Sequence, residues 1–263
     1  MPPFHVPGFA KVDASDSHGL IAYLDMCTRI SSRRKRASYM EQRIAPGMVV
    51  LDAGCGTGDD VRALAEIVGP AGRVVGIDAS LAMIAEAQKR GLPENAEARC
   101  ASVDALPFAD ATFDACRAER VFQHLRHPEA AARELRRVLK SGGSIIAIDQ
   151  DWETMTVAGA DESATRRILD AFIGNLADGR AGRHHAAILE RAGFRDVRVR
   201  SEVTTAPLGA AYALVLNSAI ECAKATGTIT AAEADTWVSS LLSANRQGAF
   251  RYEVSMFTTL AYA

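Results

Sequence analysis

The sequence predicts an α/β protein built on a doubly wound, mostly parallel sheet of seven strands, with helical cap insertions. Three observations lead there. Short, near-continuous apolar runs alternate with longer amphipathic stretches between residues 48 and 149, the pattern of strands buried on both faces and the helices that cover them. The first run ends in "VLDAGCGTG", where Gly54, Gly56 and Gly58 fall at alternate positions directly after a strand. The chain has 263 residues, 48% hydrophobic and 24% charged, which suits one large domain of this type.

The elements follow in order. Met48 to Ala53, Arg73 to Asp78, Glu97 to Val103, Phe113 to Ala118 and Gly143 to Asp149 read as strands, partly β-branched. Between them Asp60 to Val68, Leu81 to Arg90 and Pro128 to Leu139 carry helical spacing. The last opens on proline and closes on "KSGG", the usual asymmetry of a helix start and stop. Residues 1–45 read as helical decoration and 46–149 as the ligand-binding core; 150–182 and 208–247 read as helical cap, all within one domain. In the cap the helical patterns are Glu162 to Leu176, His184 to Ala192, Leu208 to Thr226 and Ala231 to Asn245. Val197 to Val203 and the closing "RYEVSMFTTLAY" alternate as strands.

Glycine after a strand permits left-handed backbone and close approach of a ligand. In a doubly wound sheet ligands bind at the carboxyl ends of the strands, and this turn lies there. A dinucleotide fold wants G-x-G-x-x-G, but its third glycine is Asp59 here, followed by Asp60. Two carboxylates at the helix N-terminus would repel a pyrophosphate. The G-x-G-x-G register preceded by Asp52 suits a cationic or zwitterionic ligand better.

"VLDAGCGTGD" resembles the first motif of class I S-adenosylmethionine-dependent methyltransferases, the E/D-x-G-x-G-x-G loop. "VVGIDAS", "ASVDALPFADATFDAC" and "ELRRVLKSGGSIIAID" resemble the family's following strands and connecting elements, in the right order across residues 45 to 150. The subgroup resembled is the menaquinone/ubiquinone-type C- and O-methyltransferases and their small-molecule, natural-product relatives. The resemblance implies the Rossmann-like methyltransferase fold and S-adenosylmethionine as cofactor. It implies that Gly54, Gly56, Thr57 and Gly58 let the backbone approach the cofactor, and that Asp52 orients the loop or meets the methionine ammonium. Asp78, with Ala79, falls where the family places an acid on the ribose hydroxyls. Met83 falls where it would cover the adenine, or else packs in the core. Asp104 would accept from the adenine amine, flanked by Ser102, Val103 and Ala105, and Glu119 lies near the sulfonium end. For each acid the alternative is a helix N-cap or a surface loop.

Methyl transfer asks the protein mainly for alignment and a dry site, and for a base only where the acceptor must lose a proton. In "RAERVFQHLRHP", His124 is the candidate base or orienting group, with packing under the cap as its alternative. Gln123 is a candidate substrate donor. The fifth strand reads as ending in "DQDWET", which places Asp151 and Trp152 at the crevice rim, where they shape the acceptor pocket or else cap the following segment.

The expected reaction is methyl transfer to a small, hydrophobic metabolite, at oxygen or carbon. The alternative is a methyltransferase-like protein that binds the cofactor structurally and catalyses a cyclisation or rearrangement. A formal net charge of −2 gives no footprint for nucleic acid, and the stretch after the fourth strand has neither an Asp/Asn-Pro-Pro-Tyr-like motif nor a Pro-Cys pair. The basic run Arg33 to Arg36 reads as a solvated helix face. Five cysteines match no zinc or disulfide spacing. They suit a reducing cytoplasm, and no metal is expected. No apolar run reaches the roughly 18 residues of a membrane span.

Overall fold

The structure is a computed structural model that describes residues 17–263. Helix α1 (Ser17–Glu41) precedes the core. Strands β1 (Val49–Ala53), β2 (Arg73–Asp78), β3 (Ala96–Cys100) and β4 (Phe113–Glu119) follow, with helices α2 (Asp59–Val68) and α3 (Leu81–Lys89) between the first three. A short 3-10 turn (Phe122–His124), α4 (Pro128–Val138) and β5 (Leu139–Ala158) come next, then α5 (Glu162–Gly174) and α6 (Ala181–Arg191). Strand β6 (Arg195–Thr205), α7 (Leu208–Ala211), α8 (Asn217–Ala225), α9 (Ala231–Arg246) and β7 (Arg251–Tyr262) complete the chain.

The seven strands form one sheet in the order β3-β2-β1-β4-β5-β7-β6. Strands β1 to β5 are parallel, and β7 runs antiparallel to both β5 and β6. The order reverses at β1, so the carboxyl ends of β1, β2 and β4 border the crevice where such sheets take ligands. The central strands are buried along nearly their whole length; Val50, Leu51, Ala53, Ile145 and Ile148 have no exposed surface. Parallel strands covered on both faces require this.

The sequence reading differs from the structure at four places. Strand β5 does not end at Asp149. It runs 20 residues to Ala158, because β7 keeps pairing beyond the core: Asp151 faces Ser255 and, after a register shift, Thr156 faces Glu253. Residues 150 to 158, expected in a helical cap, are therefore strand. "KSGG" does not follow a helix stop, since Lys140 to Gly143 already belong to β5. The helix expected from Leu208 to Thr226 is interrupted by a π-helical stretch at Tyr212–Leu216.

The fourth difference is the basic run. Arg33 and Arg36 are exposed, but Lys35 is only 7% exposed and Arg34 is half-buried. Ser31, Lys35, Ser38, Tyr39 and Gln42 are all buried. Their spacing of three and four residues puts them on one face of α1, and that inward face is polar. The first sixteen residues of the expected helical decoration, and the side chain of Cys27, lie outside the described residues.

Two of the apolar clusters packed on the sheet bear on the site. One, around Leu51, Phe113, Leu135 and Ile145, lies under α4 and α6. The other gathers Trp152, Phe172, Trp237 and Tyr252 with residues of α5 and α7 to α9.

Candidate active site

The turn after β1 is built for glycine. Gly54, Gly56 and Gly58 all have positive φ (76°, 52° and 78°), backbone that other residues adopt only with strain. At Gly54 a Cβ would stand 2.4 Å from Val121 Cγ2. The turn is pinned to β2, because the Gly54 and Cys55 amides both donate to Ile77 O, at 2.7 and 2.8 Å. Gly58 then starts α2 in left-handed conformation. Thr57 is buried, and its Oγ1 hydroxyl donates to Asp59 Oδ2 at 3.3 Å.

Asp78 closes β2 against this turn. Its Oδ2 accepts from the Gly56 amide and its Oδ1 from the Ser80 amide, both at 2.9 Å. Burial raises its pKa, and the two amide donors oppose the rise without cancelling it. Ala79 beside it is exposed. Ser80 caps α3 by accepting from the Met83 amide, and Met83 is buried at 2% exposure. In the loop after β3, Val103 is buried while Ser102, Asp104 and Ala105 are exposed. Ser102 Oγ donates to Asp104 Oδ1. Since β1, β2 and β3 are parallel, the glycine turn, Asp78 and the Ser102–Ala105 loop stand along one edge.

Beneath the turn lies a buried ionic network that reaches well beyond Arg117 and Glu119, the pair that sequence proximity offers. Arg117, with no exposed surface, ion-pairs with Glu119 and sits 3.6 Å from Asp60 Oδ2. Its guanidinium donates to Ser38 Oγ at 2.6 Å and lies over the Tyr39 ring, 4.9 Å from the centroid. Lys35 Nζ reaches Asp60 Oδ2 at 2.8 Å, and the Tyr39 hydroxyl donates to the same carboxylate. Arg34 reaches Glu119 Oε1 at 3.4 Å. Burial alone would raise the Asp60 and Glu119 carboxyls; Arg117 and then Lys35 outweigh it and hold both below the ordinary carboxylate range.

Asp52 differs. It is buried at 2% exposure, its Oδ2 has no hydrogen-bond partner, and burial with the Asp60 charge pushes its pKa up to about 8. Glu119, expected near the sulfonium end, does finish β4, but it is 9% exposed and committed to Arg117 and Arg34.

Past β4 the chain turns sharply. Arg120 adopts φ 57° and its amide donates to Ile148 O at 2.7 Å, a left-handed non-glycine residue of the kind that gathers at functional sites. Gln123 and His124 follow in the 3-10 turn. His124 is exposed, yet the protein beneath it desolvates the ring and lowers its pKa.

The other acceptor-side residues turn inward. Gln123 and Trp152 are each 1% exposed and bond to one another. Trp152 packs edge-on to Phe172, with ring centroids 5.2 Å apart. Asp151, also 1% exposed, pairs with Arg183 of α6. The expected rim position fails for Asp151 and Trp152 because β5 continues past Asp149 under the cover of α5 and α6.

Sequence reasoning also missed a fully buried pair. His185 of α6 reaches Asp149 Oδ2 at 3.0 Å, and that oxygen accepts the Phe122 amide at 3.3 Å. Gly182 lets α6 come this close: a Cβ there would stand 2.6 Å from Asp149 O. Among the described residues, no three His, Cys, Asp or Glu side chains gather to hold a metal ion.

The comparisons with known proteins agree with this geometry. A family model described as a methyltransferase domain matches residues 51–147. A Streptomyces fradiae protein, described as an uncharacterized 37.1 kDa protein in transposon TN4556, is 32% identical over 253 residues, covering 92% of this chain and 71% of its own. The ubiquinone/menaquinone biosynthesis C-methyltransferase of Syntrophotalea carbinolica is 31% identical over 189 residues, covering 65% of this chain and 78% of its own. The crystal structure of a SAM-dependent methyltransferase from Aquifex aeolicus superposes with a TM-score of 0.56 at 28% identity, covering 71% of this chain and 92% of that one.

The chain belongs to the class I S-adenosylmethionine-dependent methyltransferases. It is a methyltransferase, and its cofactor is S-adenosylmethionine. The residues present fit that cofactor: three positive-φ glycines leave the backbone of the turn without side chains, and Asp52 just before it keeps a buried, unpartnered oxygen. The cofactor supplies a methyl group already activated by positive sulfur. What falls to the chain is to bind, orient and exclude water.

Proposed function

We propose that this methyltransferase acts on a small, apolar metabolite, at oxygen or carbon, in the reducing setting of the cytoplasm. The observation that carries the reading is the second apolar core. Its buried members from α5 and α7 to α9, among them Phe172, Ile220 and Trp237, meet the far stretch of β5 without one buried charged side chain among them. A wall of that composition, tied through Trp152 to Gln123 in the turn after β4, suits an apolar acceptor. The relative named for ubiquinone and menaquinone biosynthesis supports the same class of acceptor. The net charge of −2 argues against nucleic acid, and no helix among the described residues is long and apolar enough to cross a membrane. Free thiols at Cys55, Cys116 and Cys222 support a reducing compartment.

On this reading core and cap work as one domain. The cofactor lies along the glycine turn, with Asp52, Asp78, Met83 and Ser102 to Ala105 around it, and His124 faces the acceptor. The test is a panel of quinols, phenols and apolar ketones incubated with S-adenosylmethionine, followed by mass spectrometry of both products. Stoichiometric S-adenosylhomocysteine and an acceptor heavier by one methylene confirm it. Conversion of an acceptor without S-adenosylhomocysteine supports cyclisation or rearrangement instead.

A further inference from the structure

The turn after β4 is wired to β5 through one amide. The indole Nε1–H of Trp152 donates to Gln123 Oε1 at 2.8 Å, and Gln123 Nε2 lies 3.0 Å from His124 Nε2. An indole nitrogen can only donate, so the end of the amide facing Trp152 is the oxygen. The other end is then the NH2 group, which also only donates. Two donors cannot share one contact, so His124 Nε2 must accept, and the proton of the neutral ring sits on Nδ1. Gln123 and Trp152 are each 1% exposed, which keeps water from replacing either partner. The turn is fixed from two further sides: Asp149 Oδ2 accepts the Phe122 amide at 3.3 Å, and Gln123 O accepts the Asp178 amide at 3.2 Å.

We propose that Trp152 and Gln123 are positioning residues that hold His124 as the neutral tautomer protonated at Nδ1, so that His124 meets the acceptor as a hydrogen-bond donor and not as the base that takes its proton. The second half of this rests on the methyl-transfer reading; the tautomer does not. Among the described residues, charged groups act on the ring from three elements: Asp149 of β5, Asp78 of β2, and Arg120 after β4. Desolvation by the protein beneath the ring is the largest influence and disfavours the imidazolium; Arg120 adds to it, and the two carboxylates do not overcome them. His185 of α6 stands behind Asp149, bonded to it. Protonating Nε2 would also set it against the Gln123 NH2 group. A proton the acceptor must lose goes to solvent before transfer, not to Nε2.

The experiment is long-range proton–nitrogen correlation NMR of the ¹⁵N-labelled full chain, with His124 assigned by the signals lost in His124→Gln. Wild type should show a protonated Nδ1 and an unprotonated Nε2 near neutral pH, and should titrate below the ordinary midpoint near 6.5. Gln123→Glu keeps the shape but offers an oxygen at both ends. It should invert the tautomer to Nε2–H and raise the midpoint by about 1–3 pH units, the usual effect of an adjacent carboxylate. Trp152→Phe frees the amide to turn over, giving a mixture of tautomers. An Nε2–H tautomer in wild type, or an unchanged tautomer in folded Gln123→Glu, overturns the proposal. The wild-type spectrum alone can do so, whatever becomes of the variants. These spectra need no acceptor, so they stand or fall apart from the substrate panel.

Discussion

The two flanks of the crevice are held by opposite physics. On the side of α1 and α2, the space under the glycine turn is filled by Lys35, Asp52, Asp60, Arg117 and Glu119, all buried. On the cap side the second core is apolar, and its two tryptophans each place an indole N–H on a single buried partner, Gln123 and Thr165. Each charge in the first region depends on the others, so one deletion exposes the rest to an uncompensated interior. The second region depends on volume, so a deletion leaves a hole that neighbours can partly close. On the proposed function, the first holds a charged cofactor's loop at a fixed height and the second lies toward an apolar acceptor.

The largest effect should come from removing the network's central cation. Arg117→Ala leaves Asp60 and Glu119 without their strongest partner, and losing one partner of a buried pair costs about 3–5 kcal/mol. Urea denaturation should show that loss. A double variant that also replaces Glu119 by Gln should recover part of it. A loss under about 1 kcal/mol in Arg117→Ala would mean that water already reaches the network, and the contrast with the cap would fail.

Asp52 gives the next effect, and it depends on pH. Its folded-state pKa is about 8, against about 3.9 for an ordinary Asp. Between those values the folded chain holds a proton that the unfolded chain releases, so this group makes stability fall as pH rises through the window. Asp60 and Glu119 have the opposite sign. Their depressed values add stability above the ordinary carboxylate range, lost as pH drops through it. Asp52→Asn removes the first effect and leaves the second. From about pH 6 to pH 8 its stability should fall by roughly 2 kcal/mol less than wild type's, at up to about 1.4 kcal/mol per pH unit. Parallel curves in chemical denaturation would show Asp52 to be ionised throughout.

The fold was legible in the sequence because its signals are local. Each core strand is a short apolar run, and Gly54, Gly56 and Gly58 mark a turn only glycine makes without strain. The Asp78 position was legible for the same reason, at the end of one strand and one turn away from the next helix. The buried network was not, since Lys35 lies 25 residues from Asp60 and Ser38 lies 79 from Arg117. Beyond the near neighbours Arg117 and Glu119, only the helical spacing of Lys35, Ser38, Tyr39 and Gln42 hinted at it, and a cationic helix face ordinarily points to water. The inward turn of Trp152 was hidden because the extent of β5 is set by its pairing with β7, about a hundred residues on in the chain: Ser255 N donates to Thr154 Oγ1 across 101 residues.

Asp78 sharpens the cofactor side. Its carboxylate already ties Gly56 to Ser80 through their amides, and on the proposed placement it also meets the ribose hydroxyls. Asp78→Ala should weaken S-adenosylmethionine binding by about 2 kcal/mol, the scale of hydrogen bonds to a charged group, or roughly thirtyfold in the dissociation constant. Calorimetry on folded variant reads it directly. An unchanged constant would move the ribose elsewhere.

The smallest effect tests whether the two flanks are separable. Thr230 starts α9 in the cap with a full capping box: its Oγ1 accepts the Glu233 amide at 3.2 Å, and Glu233 Oε2 accepts the Thr230 amide at 2.7 Å. Arg167 of α5 holds the same carboxylate at 3.0 Å, so the box also ties two cap helices together. Thr230→Ala removes the hydroxyl and keeps the backbone bond, which should destabilise the protein by about 1 kcal/mol. The cap core shares no residue with the glycine turn, Asp78 or the ionic network, so cofactor affinity should stay within error of wild type while the melting temperature drops. A weaker S-adenosylmethionine constant in Thr230→Ala, matched in size to the stability loss, would mean that the cap orders the cofactor side as well. The contrast between a polar flank for the cofactor and an apolar flank for the acceptor would then describe composition only, not division of labour.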